Sequence, residues 1–412
     1  MKTFALSLAL LVAGGPLAAA ETARKLEIAG AQFPAPRSEL TDREWFAYVT
    51  GYFHKYNAWS SPPSYVARPG FGIEGPSLKP TVLPGAPIIQ RYSDLDAQGR
   101  PMWFDGSQTN ELDDLVHRLF VQERFDDLER LLADWTDGKE RTADGRWKLS
   151  WFLDATNAGA SQPGDHEALL ARLHRWRDKY PHSPFPVIAE AYRWRAAAWR
   201  ARGSGYSSSV TPEGWRLFHE RSRKAEQILL ASRAYASDNP LWGYVYLETS
   251  PGLGWTIEQQ LAFFRKQMDQ EPSYYPSYFA MMEYLHPRWG GDWKLIETLV
   301  EYAEAKTRAT DGASLYARIY WYLAQREGVD FDIFEHGRVD WPRMKKGFED
   351  ILERFPHSAW DMNSFAAFAC RAHDGDTYRS LRFRIGENIE PKAWRTNVSL
   401  DVCEQRFPRP AL

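Results

Sequence analysis

The chain has 412 residues, with 51 basic against 54 acidic side chains and 44% apolar residues. A net charge of −3 leaves no electrostatic footprint for nucleic acid or for an anionic membrane surface. The length is that of two or three ordinary domains.

Residues 1–20, MKTFALSLALLVAGGPLAAA, read as a secretory signal. Lys2 supplies the positive start, and Phe4 to Ala13 form an apolar core too short to span a bilayer. Ala18 and Ala20 occupy the small-residue positions before a cut. Cleavage after Ala20 predicts a periplasmic or secreted protein with 50 basic and 54 acidic residues, since Lys2 leaves with the signal. No Cys follows the cut, so no lipid anchor is predicted. No later run approaches the roughly 20 apolar residues of a membrane span, so stable membrane anchoring is not expected.

Residues 21–107 form an irregular region rich in Pro, Gly and aromatics. It opens on one short helix, TDREWFAYVTGYF, with Thr41 as N-cap and Glu44 three residues on. The following SSPPSYVARPGFGIEGPSLKPTVLPGAP reads as a wrapping arm or a small irregular domain.

From 108 to 395 helical periodicity dominates. Leu112, Leu115, Val116, Leu119 and Phe120 make one apolar stripe; Phe125, Leu128, Leu131, Leu132 and Trp135 make the next. Two short amphipathic helices with a tight turn between them are an αα-hairpin. The unit recurs at His166–Tyr180, where Leu169, Leu170, Leu173 and Trp176 share a face, and then Ser183 and Pro184 open a helix running to Arg202. The turn phrase returns before Ser358, which forms a capping box with Asp361. Related joints stand at Ser237-Asp-Asn-Pro240 and Glu271-Pro272-Ser273. The spacing of Pro240 and Pro272 approaches the ~34-residue period of tetratricopeptide repeats, though other joints do not keep it. The expected fold is all-α: about a dozen helices in an αα-hairpin array, a tetratricopeptide-like α-solenoid or superhelix. Residues 396–412 are a C-terminal tail.

The two cysteines, Cys370 and Cys403, would lie in an oxidising compartment. Bridged, they close a loop of about 33 residues, stabilising by roughly 3–4 kcal/mol. The alternative is that Cys370, which ends the run SFAAFAC, is a buried thiol.

RARGSGYSSSVTPEGWRLFHER, around Arg202 to Glu220, resembles the core motif of a bacterial family, domain of unknown function 4034. YLHPRWGGDW (284–293), VDWPRMKKGFEDILERFPHSAW (339–360) and FACRAHDGDTYRSLRFRIGENI (368–389) are similar to later parts of it. The resemblance spans about 112–394. It implies a tetratricopeptide-like helical fold and no particular reaction.

No GxSxG elbow, P-loop, HExxH or GxGxxG opens onto a helix. Neither a cofactor nor a metal site is predicted, and His373-Asp-Gly-Asp376 reads as a polar turn. Candidate binding residues are Arg202, Gly203, Gly205 and Tyr206, in a loop where two glycines allow positive φ, and Arg288, Trp289 and Trp293 at the next Gly-rich turn. The bland reading of both is a structural turn, with Arg288 in an ion pair. Asp113-Asp114 and Asp126-Asp127 are assigned to first helical turns, favouring the helix dipole. Most of the 18 tryptophans read as core, Trp135, Trp176, Trp199 and Trp215 among them. Tyr244, Tyr246, Trp255, Tyr274, Tyr275 and Tyr278 crowd one region that would suit peptide or sugar if exposed. The functional expectation is a periplasmic scaffold that binds a peptide or protein partner. The alternative is a polysaccharide- or cell-wall-active enzyme on an α/α toroid, which needs two carboxylates roughly 5–10 Å apart in one cleft.

Overall fold

The computed structural model describes residues 107–158, 165–327, 331–395 and 398–408. The signal, the helix at Thr41 and the Pro/Gly-rich stretch lie outside the described residues. The described chain is all-helical: α1 (Ser107–Val121), α2 (Phe125–Asp137), α3 (Trp151–Asn157), α4 (Asp165–Lys179), α5 (Pro184–Arg202), α6 (Pro212–Ala236), α7 (Pro240–Leu253), α8 (Ile257–Gln270), α9 (Pro276–Leu285), α10 (Trp293–Asp311), α11 (Ser314–Glu327), α12 (Trp341–Arg354), α13 (Ala359–Arg371), α14 (Gly375–Ile385), α15 (Pro391–Arg395) and α16 (Leu400–Arg406). The last of these falls in the stretch read as a tail. No described helix is long and apolar enough to cross a membrane.

Local chemistry sets the boundaries. Both stripes read in α1 and α2 are buried to the last residue. Proline at N1 is preceded by a capping side chain three times over: Ser183 Oγ accepts from Phe185 N at 3.2 Å, Thr211 Oγ1 from Gly214 N at 3.0 Å, and Asn239 Oδ1 from Leu241 N at 3.0 Å. Two expectations need correction. Helix α1 begins at Ser107, so Asp113 and Asp114 sit beyond its first turn and do not meet the dipole's positive end. Ser358 does cap α13, accepting from Asp361 N at 3.0 Å. Asp361 does not return the bond, however, because both its carboxylate oxygens are without hydrogen-bond partners. Thr256 and Gln259 instead form a complete capping box on α8, a T-x-x-Q signature present in the sequence.

Asp374 caps α14, accepting from Thr377 N at 3.1 Å, Thr377 Oγ1 at 2.7 Å, Lys345 Nζ at 3.0 Å and the Trp341 indole at 3.1 Å. Burial pushes its carboxyl up, but the bonds from Thr377, Lys345 and Trp341 prevail and hold it well below the usual carboxylate range. Asp374→Ala is expected to cost about 1–2 kcal/mol in urea unfolding at pH 7. That cost should vanish as the pH falls below the ordinary Asp range and through the depressed native value, where the wild-type carboxylate also takes up a proton.

Among the described residues α1 packs on α2, and helices consecutive in sequence pack together from α4 to α14. The backbones of the odd-numbered helices α1, α3, α5, α7, α9 and α11 also approach one another closely in succession, whereas even-numbered helices meet through longer side-chain contacts, such as Arg343 on α12 with Glu304 on α10. The odd helices therefore stand closer together than the even ones and form the inner row. Two apolar clusters fill the space between the rows. One runs from α1 to Tyr274, just ahead of α9, the other from α7 to α16, and Tyr244 and Phe263 pack against both.

The packing brings distant residues together. The turn 138–148, between α2 and α3, reaches the starts of α9, α11 and α13. Trp147 Nε1 donates to Ser273 O at 2.7 Å, and Arg141 lies 4.1 Å over the Trp147 ring and bonds Ser273 Oγ at 3.0 Å. Arg318 Nη2 donates to Asp144 O at 2.7 Å across 174 residues of chain. Gly145, at φ +82°, lies so close to Phe355 that a Cβ there would stand 2.4 Å from its ring. At the far end Cys370 and Cys403 are bridged, with Cα atoms 5.9 Å apart. Cys370 is also fully buried, so the burial that suggested a thiol and the bridge coexist.

Candidate functional site

The two loops read as candidate sites meet in space. Helix α5 ends at Gly203, whose φ of +78° suits a residue without Cβ. Arg202 is buried. Its Nη1 donates to Gly203 O at 3.0 Å and Gly205 O at 3.1 Å, and its guanidinium lies 5.4, 5.3 and 5.3 Å from the rings of Trp199, Trp215 and Trp289. Trp199 and Trp289 themselves pack edge to face at 5.8 Å. The Arg202 charge is therefore taken up by its own loop and three indoles. Trp199 and Trp215, read as core, are only half-buried. They cover Arg202 at the protein's edge because their faces, not their bulk, are what a guanidinium uses. Gly203 and Gly205 are exposed and Tyr206 is half-buried. Arg288 stands 4.0 Å from Glu327, which His286 approaches at 3.0 Å. Trp293 stacks on Phe331 at 4.9 Å.

The aromatic crowd around residues 244–278 divides. Tyr246, Tyr274, Tyr275 and Tyr278 are buried, whereas Tyr244 and Trp255 keep some exposure. Tyr244 belongs to a different constellation on the inner row. Four consecutive odd helices each carry an aromatic side chain followed three or four residues later by a charge: Tyr192 and Arg195 on α5, Tyr244 and Glu248 on α7, Phe279 and Glu283 on α9, Tyr322 and Arg326 on α11. Residues at that spacing share a helix face. The charges pair between helices: Arg195 with Glu248, and Arg326 with Glu283 at 2.7 Å. Phe279 stacks on Tyr322 at 4.8 Å and 15°. Tyr192 donates to Asp154 Oδ1 on α3 at 2.6 Å.

These groups are enclosed yet not sealed. The side chains of Glu248 and Arg195 keep 14% and 19% exposure. Burial pushes the Glu248 carboxyl up against the pull of Arg195, with Glu283 and Asp154 adding to the rise. Asp113, on α1, has one carboxylate oxygen shielded and unbonded. Burial, then Asp154 and Asp114, push it up to about 6. A wall of protein with solvent on one side explains both observations. This face can hold an extended ligand by ring stacking and by charged hydrogen bonds in alternation. Its signal in the sequence is one aromatic–charge pair, three or four residues apart, on each of the four helices. Sequence reasoning misses it because each pair alone looks like an ordinary helix surface. Among the described residues no group of three or more His, Cys, Asp or Glu is placed to hold a metal ion.

No curated protein and no solved structure matches the chain. The similar stretches after residue 284 lie outside the family match. That match, to the family described as Domain of unknown function (DUF4034), covers residues 113–236, and over this span, from within α1 to the end of α6 with the Arg202–Tyr206 loop inside it, the chain resembles that family.

Proposed function

We propose that this is an exported, tetratricopeptide-like α-solenoid whose inner helices bind an extended peptide segment of a protein partner. One observation carries the reading: the aromatic–charge pair repeats once per inner helix from α5 to α11, so the face offers equivalent subsites in series, as a chain-like ligand requires. Export rests on residues 1–20, and a mature N-terminus at Glu21 in the periplasmic fraction is the expected mass-spectrometric result. Selection of a displayed random-peptide library on the mature protein should enrich peptides that lose at least tenfold in affinity to Tyr192→Ala/Tyr322→Ala, since interfacial tyrosines are frequent hot spots. Enriched peptides that bind this variant as well as the wild type would remove the inner face from consideration.

A second reading, a hydrolase of polysaccharide or cell wall, is favoured by the Asp113–Asp154 neighbourhood. A carboxyl held near 6 beside a second carboxylate is the arrangement of an acid and its partner base. In that case Asp113→Asn should lower the release of reducing ends from peptidoglycan by about 10²–10⁴-fold. Absence of release by the wild type ends this reading.

A further inference from the structure

The middle of the inner row can be touched at few points. Between Leu241 and Ser250 on α7 only Tyr244 and Glu248 keep exposure, and between Ser277 and Leu285 on α9 only Phe279 and Glu283 do. Each pair is four residues apart and shares one helix face. Tyr284 donates to Leu247 O at 2.9 Å, so the adjoining Glu283 and Glu248 stand at one level of the row. A chain laid across α7 and α9 therefore meets two rings and, one turn on, two carboxylates.

The arginines on either side are already engaged. Arg195 donates to the Glu248 carboxylate and to Glu248 O at 3.3 Å. Arg326 donates to both carboxylate oxygens of Glu283, at 2.7 and 3.4 Å. Negative charge is nevertheless in excess. Burial, then Glu283 and Asp154, push the Glu248 carboxyl up against the pull of Arg195. Asp154 acts also on Asp113, already pushed up by burial, so the acidic wall runs on to α1. Even with Arg146, which Asp144 holds at 2.5 Å, carboxylates outnumber cations along the described part of this wall. Like charges gathered on a half-enclosed surface cost free energy that an incoming cation relieves.

We propose that the segment bound by the inner face carries an arginine, whose guanidinium seats between Glu248 and Glu283 against the Tyr244 and Phe279 rings. This rests on the reading of the inner face as a peptide site. A guanidinium bonds carboxylates in its plane while its face lies on a ring, a combination a compact ammonium does not offer. The row already holds one such arrangement: Arg195 lies 5.5 Å from the centre of the Tyr192 ring and pairs with Glu248. A ligand carboxylate or phosphate at this level would meet Glu248 and Glu283 as like charges.

The peptides selected from the displayed library on the mature protein supply the test. Those that depend on Tyr192 and Tyr322 are expected to share an arginine. Each is resynthesised with citrulline, which keeps the shape and removes the charge, and with lysine. In calorimetric titration citrulline should weaken binding by about tenfold or more, and lysine to a smaller degree. Glu248→Gln/Glu283→Gln should weaken the arginine peptide by a similar factor and leave the citrulline peptide unchanged. The peptide exchange decides the matter by itself if this variant melts early. Selected peptides that need Tyr192 and Tyr322 but lack arginine, or citrulline or lysine binding as tightly as arginine, overturn the proposal and leave the peptide site standing. A library from which no peptide depends on Tyr192 and Tyr322 overturns both.

Discussion

Arg318→Ala is expected to destabilise the protein by about 3–5 kcal/mol at pH 8, and far less at pH 4. Arg318 is buried between the turn 138–148 and the start of α13. It donates to Asp144 O at 2.7 Å and is the nearest cation to Asp361, with Nη1 at 3.9 Å from Oδ1. Around Asp361 stand Asp144 and Arg146 from the turn, Arg318 from α11 and the Ser358 hydroxyl from its own cap. Asp144 is itself buried and engaged by Thr142 and by Arg146 at 2.5 Å. Burial is the main reason the Asp361 carboxyl is pushed up to about 7; Asp144 adds to the rise and Arg318 opposes it.

A native value above the unfolded one means that the native state binds more protons. Asp361 therefore contributes stability that is complete below about pH 4 and is lost as the pH rises to about 7. Asp361→Asn, which removes the charge and keeps the shape, should raise stability by a few kcal/mol at pH 8, because each tenfold change in proton affinity is worth about 1.4 kcal/mol. It should change little at pH 4. Removing Arg318 withdraws the main force that favours the ionised form, so its cost must grow with pH. Urea midpoints of the two variants at pH 4, 6 and 8 read this out. Parallel pH profiles for Arg318→Ala and wild type would show that Asp361 does not titrate in this range.

Removing the bridge is the second large effect. Cys370→Ser/Cys403→Ser is expected to lower stability by about 3–4 kcal/mol, the loop-closure value for a 33-residue separation. The loss should appear chiefly as earlier release of α14 to α16, because the loop holds those helices against α13. Arg382, which bonds Glu404 at 2.6 Å, and Arg406, which bonds Cys370 O at 3.1 Å, tie α16 back within the same loop. Hydrogen exchange in the double variant should therefore quicken in 375–408 and leave α5 to α9 near wild-type rates. Uniform quickening across the chain would mean that the C-terminal helices do not open separately.

Much of the helical plan could be read from residues 107–408 because helix boundaries are local. A serine, threonine or asparagine before proline stops one helix and starts the next whatever surrounds it, and apolar residues three and four apart must find a common face. Hence Ser183 caps the helix the sequence assigned to it, and Thr211, Asn239 and Asp292 cap theirs by the same local chemistry. Which of these helices stand side by side is not written in any local pattern. Trp199 and Trp215 have core-like spacing in their own segments, and Trp289 stands in a separate Gly-rich turn. Only packing shows that they converge on Arg202 and turn a suspected ligand loop into a self-bonded one.

The inner face was hidden for the same reason. Tyr192 and Arg195 are an ordinary pair on α5 until α7, α9 and α11 are laid beside it and each carries its own. The Asp144–Arg318–Asp361 contact joins residues far apart in the chain, beyond the reach of any short-range signal. Sequence alone determined most of the helices and several of their caps, since these depend on interactions within a few residues. Tertiary packing alone decided the candidate site, by bringing the odd helices into one row and setting charges from different turns in a common low-dielectric wall, where burial rather than sequence position sets their protonation.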